Sequence, residues 1–307
     1  MRTVVTDRPG VTEVGAPEDR VQLQRSVLVV IPAYEEAEHV ADQVRAVSRA
    51  LEQTGWRSEI VVVDDGSTDE TAAQALSGGA RVLRHKRNRG YGAALKTGID
   101  AGDHPWILIT DADGTYPPEA IPGLLARAEE NDMVVGARTG DTVRVPWSRR
   151  PAKWFLRRLA SYLAGQKLPD LNSGLRLMRR DLIDRYRHLL PSGFSFTTTI
   201  TLASACNGHE IEFVPIDYHA RLGKSKIRPR HAFDFLLLIL RTIVFFNPLK
   251  VFLPLGALLA VAGLAKFIYD LSLGNLSESA ILALLGALII WSLGLLADQN
   301  ARIGLQK

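Results

Sequence analysis

WILITDADGTYPP, residues 106–118, decides how the rest of the chain is read. Trp106, Ile107, Leu108 and Ile109 form a short apolar, β-prone run bounded by turn residues. That pattern predicts a buried parallel strand. The run ends in two carboxylates one residue apart, Asp111 and Asp113, followed by Gly114 and the Pro117-Pro118 turn signal. In an open α/β sheet, ligands sit outside the carboxyl ends of such strands. Two acids there, with no basic neighbour in sequence, suit a hard divalent cation held by one or two carboxylates and a substrate's phosphate oxygens. Taken alone, the pair also reads as a turn (Asp113-Gly114) beside a helix cap (Asp111).

Working outward, the same strand-then-acid pattern recurs. Residues 26–31 (SVLVVI) are apolar and lead into Pro32-Ala33-Tyr34-Glu35-Glu36. Val40, Val44, Val47 and Leu51 then follow at helical spacing. Residues 59–65 (EIVVVDD) predict a second strand, and Ser67 with Glu70 makes a capping-box pattern for the next helix. Residues 80–84 predict a weaker third strand. It leads through Asn88-Arg89-Gly90-Tyr91-Gly92 into another helix, and residues 133–136 predict a fifth strand. Strands alternating with helices argue a doubly wound α/β domain with a mostly parallel sheet.

Three strand ends therefore carry polar groups able to converge: Tyr34 with Glu36, Asp65, and Asp111 with Asp113. An aromatic can lie against a base, and a carboxylate can accept from a base N–H or a ribose hydroxyl. Singly, Glu36 and Asp65 also read as helix-start acids favoured by the macrodipole. The Gly90–Gly92 loop can offer backbone N–H groups to phosphate, although it matches neither a Walker A loop nor G-x-G-x-x-G. The run Arg84-His85-Lys86-Arg87 reads as a solvated or membrane-facing surface.

The chain has 307 residues and a net charge of +4. That mild, diffuse basicity suits anionic lipid or phosphate ligands and does not argue for nucleic acid. A single cysteine excludes an intrachain disulfide and a cysteine-based zinc site. Residues 1–25 are polar and contain Pro9, Gly10, Gly15 and Pro17, with no apolar core. They read as a flexible tail and not as a signal peptide.

Pro32-Ala33-Tyr34-Glu35-Glu36, Val63-Asp64-Asp65-Gly66-Ser67-Thr68-Asp69, Asn88-Arg89-Gly90-Tyr91-Gly92 and Asp111-Ala112-Asp113-Gly114 together resemble the family 2 glycosyltransferases of GT-A fold. Within them the chain is most similar to the polyprenol- or dolichol-phosphate hexosyltransferases, the dolichol-phosphate mannose synthase-like group. The resemblance covers roughly residues 26–230. It implies that Pro32, Tyr34, Glu36, Asp65 and Gly90 serve the nucleotide-sugar. Asp111, Ala112 and Asp113 would take its diphosphate, the two aspartates through Mg²⁺ or Mn²⁺. The family usually has Asn where Glu35 stands, and some dolichol-phosphate mannose synthases carry Gln where Thr115 stands.

Arg138 ends the fifth strand. Asp170-Leu171-Asn172-Ser173-Gly174-Leu175-Arg176 and Tyr218-His219-Ala220-Arg221-Leu222-Gly223-Lys224-Ser225-Lys226 resemble acceptor-side motifs of the polyprenyl-phosphate enzymes. By that resemblance Arg138, Ser173, Arg176, Arg221, Ser225 and Lys226 are candidates for the acceptor phosphate. Asp113, Arg138, Arg221 and Lys226 are the candidates for the chemical step. Arginine suits phosphate by its bidentate fork and lysine as a point charge. Each cation taken alone also reads as a surface salt bridge. A hydroxyl acceptor would need a general base, and Asp170 is the best candidate for one. A phosphate monoester, with its second pKa at about 6, attacks without one. The alternatives are a family 2 enzyme using another lipid or glycan acceptor, or a non-catalytic nucleotide-sugar-binding scaffold. Intact Asp111 and Asp113 argue against the scaffold.

Residues 231–248 are apolar but interrupted by Asp234 and Arg241, and predict an amphipathic interfacial helix. A buried core helix is the other reading. Residues 249–307 contain two apolar stretches, 251–268 and 280–297, each about 18 residues and long enough to cross a bilayer. Lys266 sits near an end, where it can snorkel. The connector, residues 270–279, lacks Lys and Arg, so the positive-inside rule puts the catalytic domain on the cytoplasmic side of the cell membrane. A hairpin anchor suits a lipid-phosphate partner. Homo-oligomers through the membrane helices are a further expectation of the group.

Overall fold

The computed structural model describes residues 25–139, 158–162, 164–218, 230–274 and 277–305. Its sheet has the strand order β3-β2-β1-β4-β6-β5-β7. The strands are β1 Ser26–Ala33, β2 Arg57–Asp64, β3 Arg81–Arg84, β4 Trp106–Ile109, β5 Met133–Ala137, β6 Arg176–Arg179 and β7 Ile211–Pro215. β1 pairs in parallel with β2 and β4, β2 with β3, and β5 with β7, while β6 runs antiparallel between β4 and β5. The carboxyl ends of β1, β2, β4 and β5 therefore share one edge, and the residues just before β6 reach that same edge.

The five strands read from sequence are present. β6 and β7 are additions, and β6 explains why the sheet is mostly and not wholly parallel. Every residue of β1 is buried, as expected of a strand covered on both faces. One face is packed by α1 (Val40–Glu52), whose Val40, Val44, Val47 and Leu51 are buried, and by α4 (Ile121–Leu125). α2 is Thr71–Ser77. The other face is packed by α3 (Tyr91–Ile99), α5 (Arg180–Tyr186) and α6 (Phe196–Cys206).

The capping box expected at Ser67 does not form. α2 starts at Thr71, and its N-cap makes no side-chain cap bond. The Ser67 hydroxyl instead accepts the Glu35 N–H at 3.0 Å, while the Ser67 N–H donates to Asp64 at 2.8 Å. Ser67 thus joins two strand-end loops, which stabilises the edge of the sheet more than it starts a helix.

α7 (Arg230–Phe246) lies beside α6. Its Ile239 and Ile243 bury into a cluster with Leu202 and Ala205, while Leu237 and Phe245 stay exposed. The helix therefore has one face docked on the domain and one uncovered face.

α8 (Leu249–Ser272) and α9 (Glu278–Leu305) pack as a hairpin, each longer than its apolar core. Both are long and apolar enough to cross a membrane, and little of either is buried. Glycines let the helices close: a Cβ on Gly256 would meet the Trp291 indole at 2.4 Å, and one on Gly294 would meet Phe252 at 2.6 Å. Trp291 donates to the Leu253 carbonyl at 3.2 Å, one residue before Pro254. Asp270, placed in the connector by sequence, lies inside α8 and pairs with Lys266 and Ser277.

Candidate active site

The Gly90–Tyr91 segment joins two of the acids predicted to converge. Asp65 is almost fully buried, and its carboxylate accepts the N–H groups of Arg89 at 2.9 Å and Gly90 at 2.8 Å. One residue on, the Tyr91 hydroxyl donates to Asp111 at 3.0 Å. Gly90 has φ 98°, and a Cβ there would lie 2.6 Å from the Ser192 carbonyl oxygen, so only glycine fits. Burial, and then the negative charge of Asp111, push the Tyr91 phenol well above its ordinary pKa. It stays a proton donor at neutral pH.

Asp65 therefore shapes the loop as well as facing the edge. His85 completes its shell: Nδ1 is 2.6 Å from Asp65, and Nε2 is 2.9 Å from the Thr97 hydroxyl. A ring donating from Nδ1 and accepting at Nε2 satisfies both partners. The run 84–87 is thus not simply a solvated surface. His85 is buried, and Arg84 holds the buried Asp64 at 2.9 Å and the Ser67 carbonyl at 2.7 Å.

Tyr34 follows β1 and is 42% exposed, open to a planar ligand, while Pro32 is buried in the strand. Glu35 adopts φ 57° and turns its carboxylate to the Thr68 N–H at 2.8 Å and hydroxyl at 3.0 Å. Asn tolerates that left-handed backbone better than Glu does, and the Thr68 bonds hold it here. The Glu36 N–H donates to the Thr71 hydroxyl at 2.9 Å.

Asp113 accepts the Thr115 hydroxyl at 2.6 Å, and Ala112 between the two acids is buried. The position of Thr115 is thereby explained: it orients an acid. Gly174 lies against Asp111 so closely that a Cβ would sit 2.8 Å from both carboxylate oxygens. Among the described residues, no group of three or more His, Cys, Asp or Glu side chains is placed to hold a metal. The residues present nevertheless fit Mg²⁺ or Mn²⁺ of the substrate-bridged kind. Such a cation takes one or two carboxylates from the protein and its other oxygens from diphosphate and water.

Tyr116 connects this pair to the other half of the edge. Its hydroxyl accepts the Gly174 N–H at 2.6 Å, and its ring meets Tyr218 edge to face at 5.3 Å. Arg138 lies over the Tyr218 ring at 5.4 Å and grips Asp170 at 2.8 and 2.9 Å. Burial works against the Asp170 carboxylate. The hydrogen bonds and charge of Arg138 outweigh it and hold its pKa below the usual range. Asp170 is therefore poorly suited to be a base.

Two residues expected on the acceptor side are fully buried. Arg176 is fully buried in β6 and donates to the carbonyls of Ser173 and Thr197 and to the Thr201 hydroxyl, so it braces the core and does not face a ligand. Burial pulls its pKa down to about 10, so it remains charged at neutral pH. Ser173 is also fully buried, its hydroxyl donating to the Gly136 carbonyl at 2.5 Å. Arg221, Ser225 and Lys226 lie outside the described residues. Sequence reading passed over Tyr91, Tyr116 and Gly174. Their only signal was a place inside or beside the quoted motifs.

Residues 28–187 match Glycosyl transferase family 2, which spans more than half of the chain. The chain belongs to this family. Residues 247–303 of this glycosyltransferase match the GtrB C-terminal hairpin, the segment that forms α8 and α9. It is 34% identical, over 66% of its own length and 86% of the relative's, to a dolichyl-phosphate hexose transferase of Haloferax volcanii. It is 32% identical, over 80% of its length and 75% of the relative's, to an undecaprenyl-phosphate 4-deoxy-4-formamido-L-arabinose transferase of Enterobacter sp. (strain 638). Among solved structures, the glucosyl-3-phosphoglycerate synthase of Mycobacterium tuberculosis in complex with Mn²⁺, UDP and phosphoglyceric acid aligns with a TM-score of 0.57. The alignment is 21% identical and covers 73% of this chain and 79% of that one, a likeness of GT-A-like fold.

Proposed function

We propose that the chain moves a hexose, mannose or glucose, from a nucleotide diphosphate sugar (GDP or UDP) to polyprenyl phosphate, with inversion, at the cytoplasmic face of the membrane. One observation carries the acceptor class. The carboxylate that sequence offers as a base, Asp170, is locked to Arg138, whose hydrogen bonds and charge lower its proton affinity. A hydroxyl nucleophile would need that base. A phosphate monoester does not, since it is largely a dianion at neutral pH. Both curated relatives named above act on a polyprenyl-type phosphate, and a hairpin with two candidate spans supplies the anchor a lipid substrate needs.

In this reading Tyr34, Glu36, Asp65 and the Gly90 loop hold the nucleoside end. Asp111 and Asp113 would hold Mg²⁺ or Mn²⁺, which when bound would neutralise charge on the departing diphosphate. Arg138 is assigned to the acceptor phosphate, together with Arg221, Ser225 and Lys226 on the strength of their sequence motif. One phosphate oxygen forms a bond to the anomeric carbon as the bond from that carbon to the diphosphate breaks, and the nucleoside diphosphate leaves. The protein's contribution is alignment and electrostatics. The absence of Lys and Arg from residues 270–279 supports the cytoplasmic orientation.

The test is incubation of the purified full chain with undecaprenyl phosphate, Mg²⁺ or Mn²⁺, and UDP- and GDP-hexoses, scoring lipid-extractable sugar. Transfer from one donor that is lost in Asp113→Ala is expected. Transfer to a glycan or diacylglycerol in place of the lipid phosphate would overturn the reading.

A further inference from the structure

Phe194 is 86% exposed, more than any other large apolar side chain among the described residues. Exposure of a single ring is ordinary; what sets this one apart is the side chain behind it. The ring stacks on Tyr91, with centroids 5.7 Å apart and planes 20° from parallel. Tyr91 in turn holds Asp111. An uncovered aromatic thus stands one side chain away from a carboxylate of the reaction centre.

Its backbone is fixed against that centre. The Ser192 carbonyl accepts the Ala93 N–H at 3.0 Å, and a Cβ on Gly92 would lie 2.3 Å from the Pro191 carbonyl oxygen. The 191–194 segment is therefore seated on the start of α3, and the chain enters α6 two residues later. α6 is the helix along which α7 lies, with Asn247 donating to the Cys206 carbonyl at 3.4 Å, and α7 leads directly into the hairpin. The α3–α6 layer is the one toward the anchor. The nucleoside-side residue Tyr34 precedes α1, which packs on the opposite face of the sheet.

We propose that Phe194, backed by Tyr91, is the contact surface for the first isoprene units of the lipid acceptor, placing its phosphate beside Asp111. This rests on the polyprenyl-phosphate reading above. The contact is apolar against apolar and leaves the charged end of the acceptor to the arginines. Tyr91 lies between the contact and the carboxylate.

The test compares the full-length protein with Phe194→Ala and Phe194→Leu in undecaprenyl phosphate titrations. Phe194→Ala is expected to raise the acceptor KM about fourfold or more, near one methylene's worth of lost apolar burial. The nucleotide-sugar KM and the melting temperature should hold, since the ring is exposed. Phe194→Leu should recover most of the affinity. An unchanged acceptor KM in Phe194→Ala, while wild type transfers to undecaprenyl phosphate, overturns the proposal and leaves the acceptor assignment standing. A raised nucleotide-sugar KM with unchanged acceptor KM also overturns it, assigning the ring to the donor. No transfer by wild type to undecaprenyl phosphate with any donor overturns the acceptor reading itself and this contact with it.

Discussion

The guanidinium of Arg138 closes on the carboxylate of Asp170 at two points, 2.8 and 2.9 Å, and the Arg138 backbone N–H adds a third bond at 3.0 Å. Both side chains are mostly buried. This is a charge pair held by geometry, and it lowers the basicity of Asp170. Asp170→Asn is therefore expected to lower transfer by misplacing Arg138 while leaving the acidic limb of the pH–rate profile, which belongs to the acceptor phosphate, at about pH 6. Loss of that limb in the variant would make Asp170 the base.

The same pair predicts a pH dependence of stability. The folded Asp170 pKa lies below its unfolded value, so the pair's contribution is fully present above about pH 4. It is lost as pH falls through the folded value. Thermal unfolding of wild type and Asp170→Asn in detergent should differ by about 3 kcal/mol near neutral pH, and the two curves should approach each other below about pH 4. A gap that widens with acid would contradict the pairing.

Gly174→Ala places a methyl group 2.8 Å from both oxygens of Asp111. Activity should fall by more than tenfold, with a raised Mn²⁺ or Mg²⁺ requirement, as expected when a catalytic group is displaced by about 1 Å. Gly193→Ala is the control, since a Cβ there meets nothing within 4 Å. Equal effects of the two substitutions on metal-dependent turnover would refute this.

Tyr91→Phe keeps the ring and removes only the bond to Asp111. The expected result is a higher metal concentration for half-maximal activity, at a stability cost of about 1 kcal/mol. An unchanged metal requirement would detach Tyr91 from the cation site.

His85→Ala cuts the bridge between Asp65 and Thr97. Asp65 then has only its loop N–H bonds, so the donor KM should rise while the acceptor KM holds. The protein should lose about 1–3 kcal/mol, the usual penalty for an orphaned buried polar group. A donor KM equal to wild type would show that the loop needs no such support.

Much of this edge was legible in the sequence because its signals are local. The apolar runs of β1, β2 and β4 each end in acids, and the periodicity of Val40, Val44, Val47 and Leu51 maps directly onto the buried face of α1. β6 escaped notice because Arg176 and Arg179 bracket only two apolar residues. Nothing local tells that the Arg176 donors find carbonyls across the core, so it read as a ligand cation. Ser67 and His85 misled for a related reason. Their partners, Glu35 and Asp65, are distant in sequence, and a capping pattern or a basic run is visible where a long-range bond is not. The hairpin was clear from apolar length, while the first helix runs on past its apolar core through Asp270 to Ser272.

In the proposed reaction the lipid phosphate itself displaces the nucleoside diphosphate in one step. The anomeric configuration of the sugar in the purified lipid product, read by the C1–H1 coupling in NMR, tests this most directly. A configuration opposite to that of the donor is the predicted result. A product with the donor's configuration would rule out a single displacement from the opposite face and would contradict the claim.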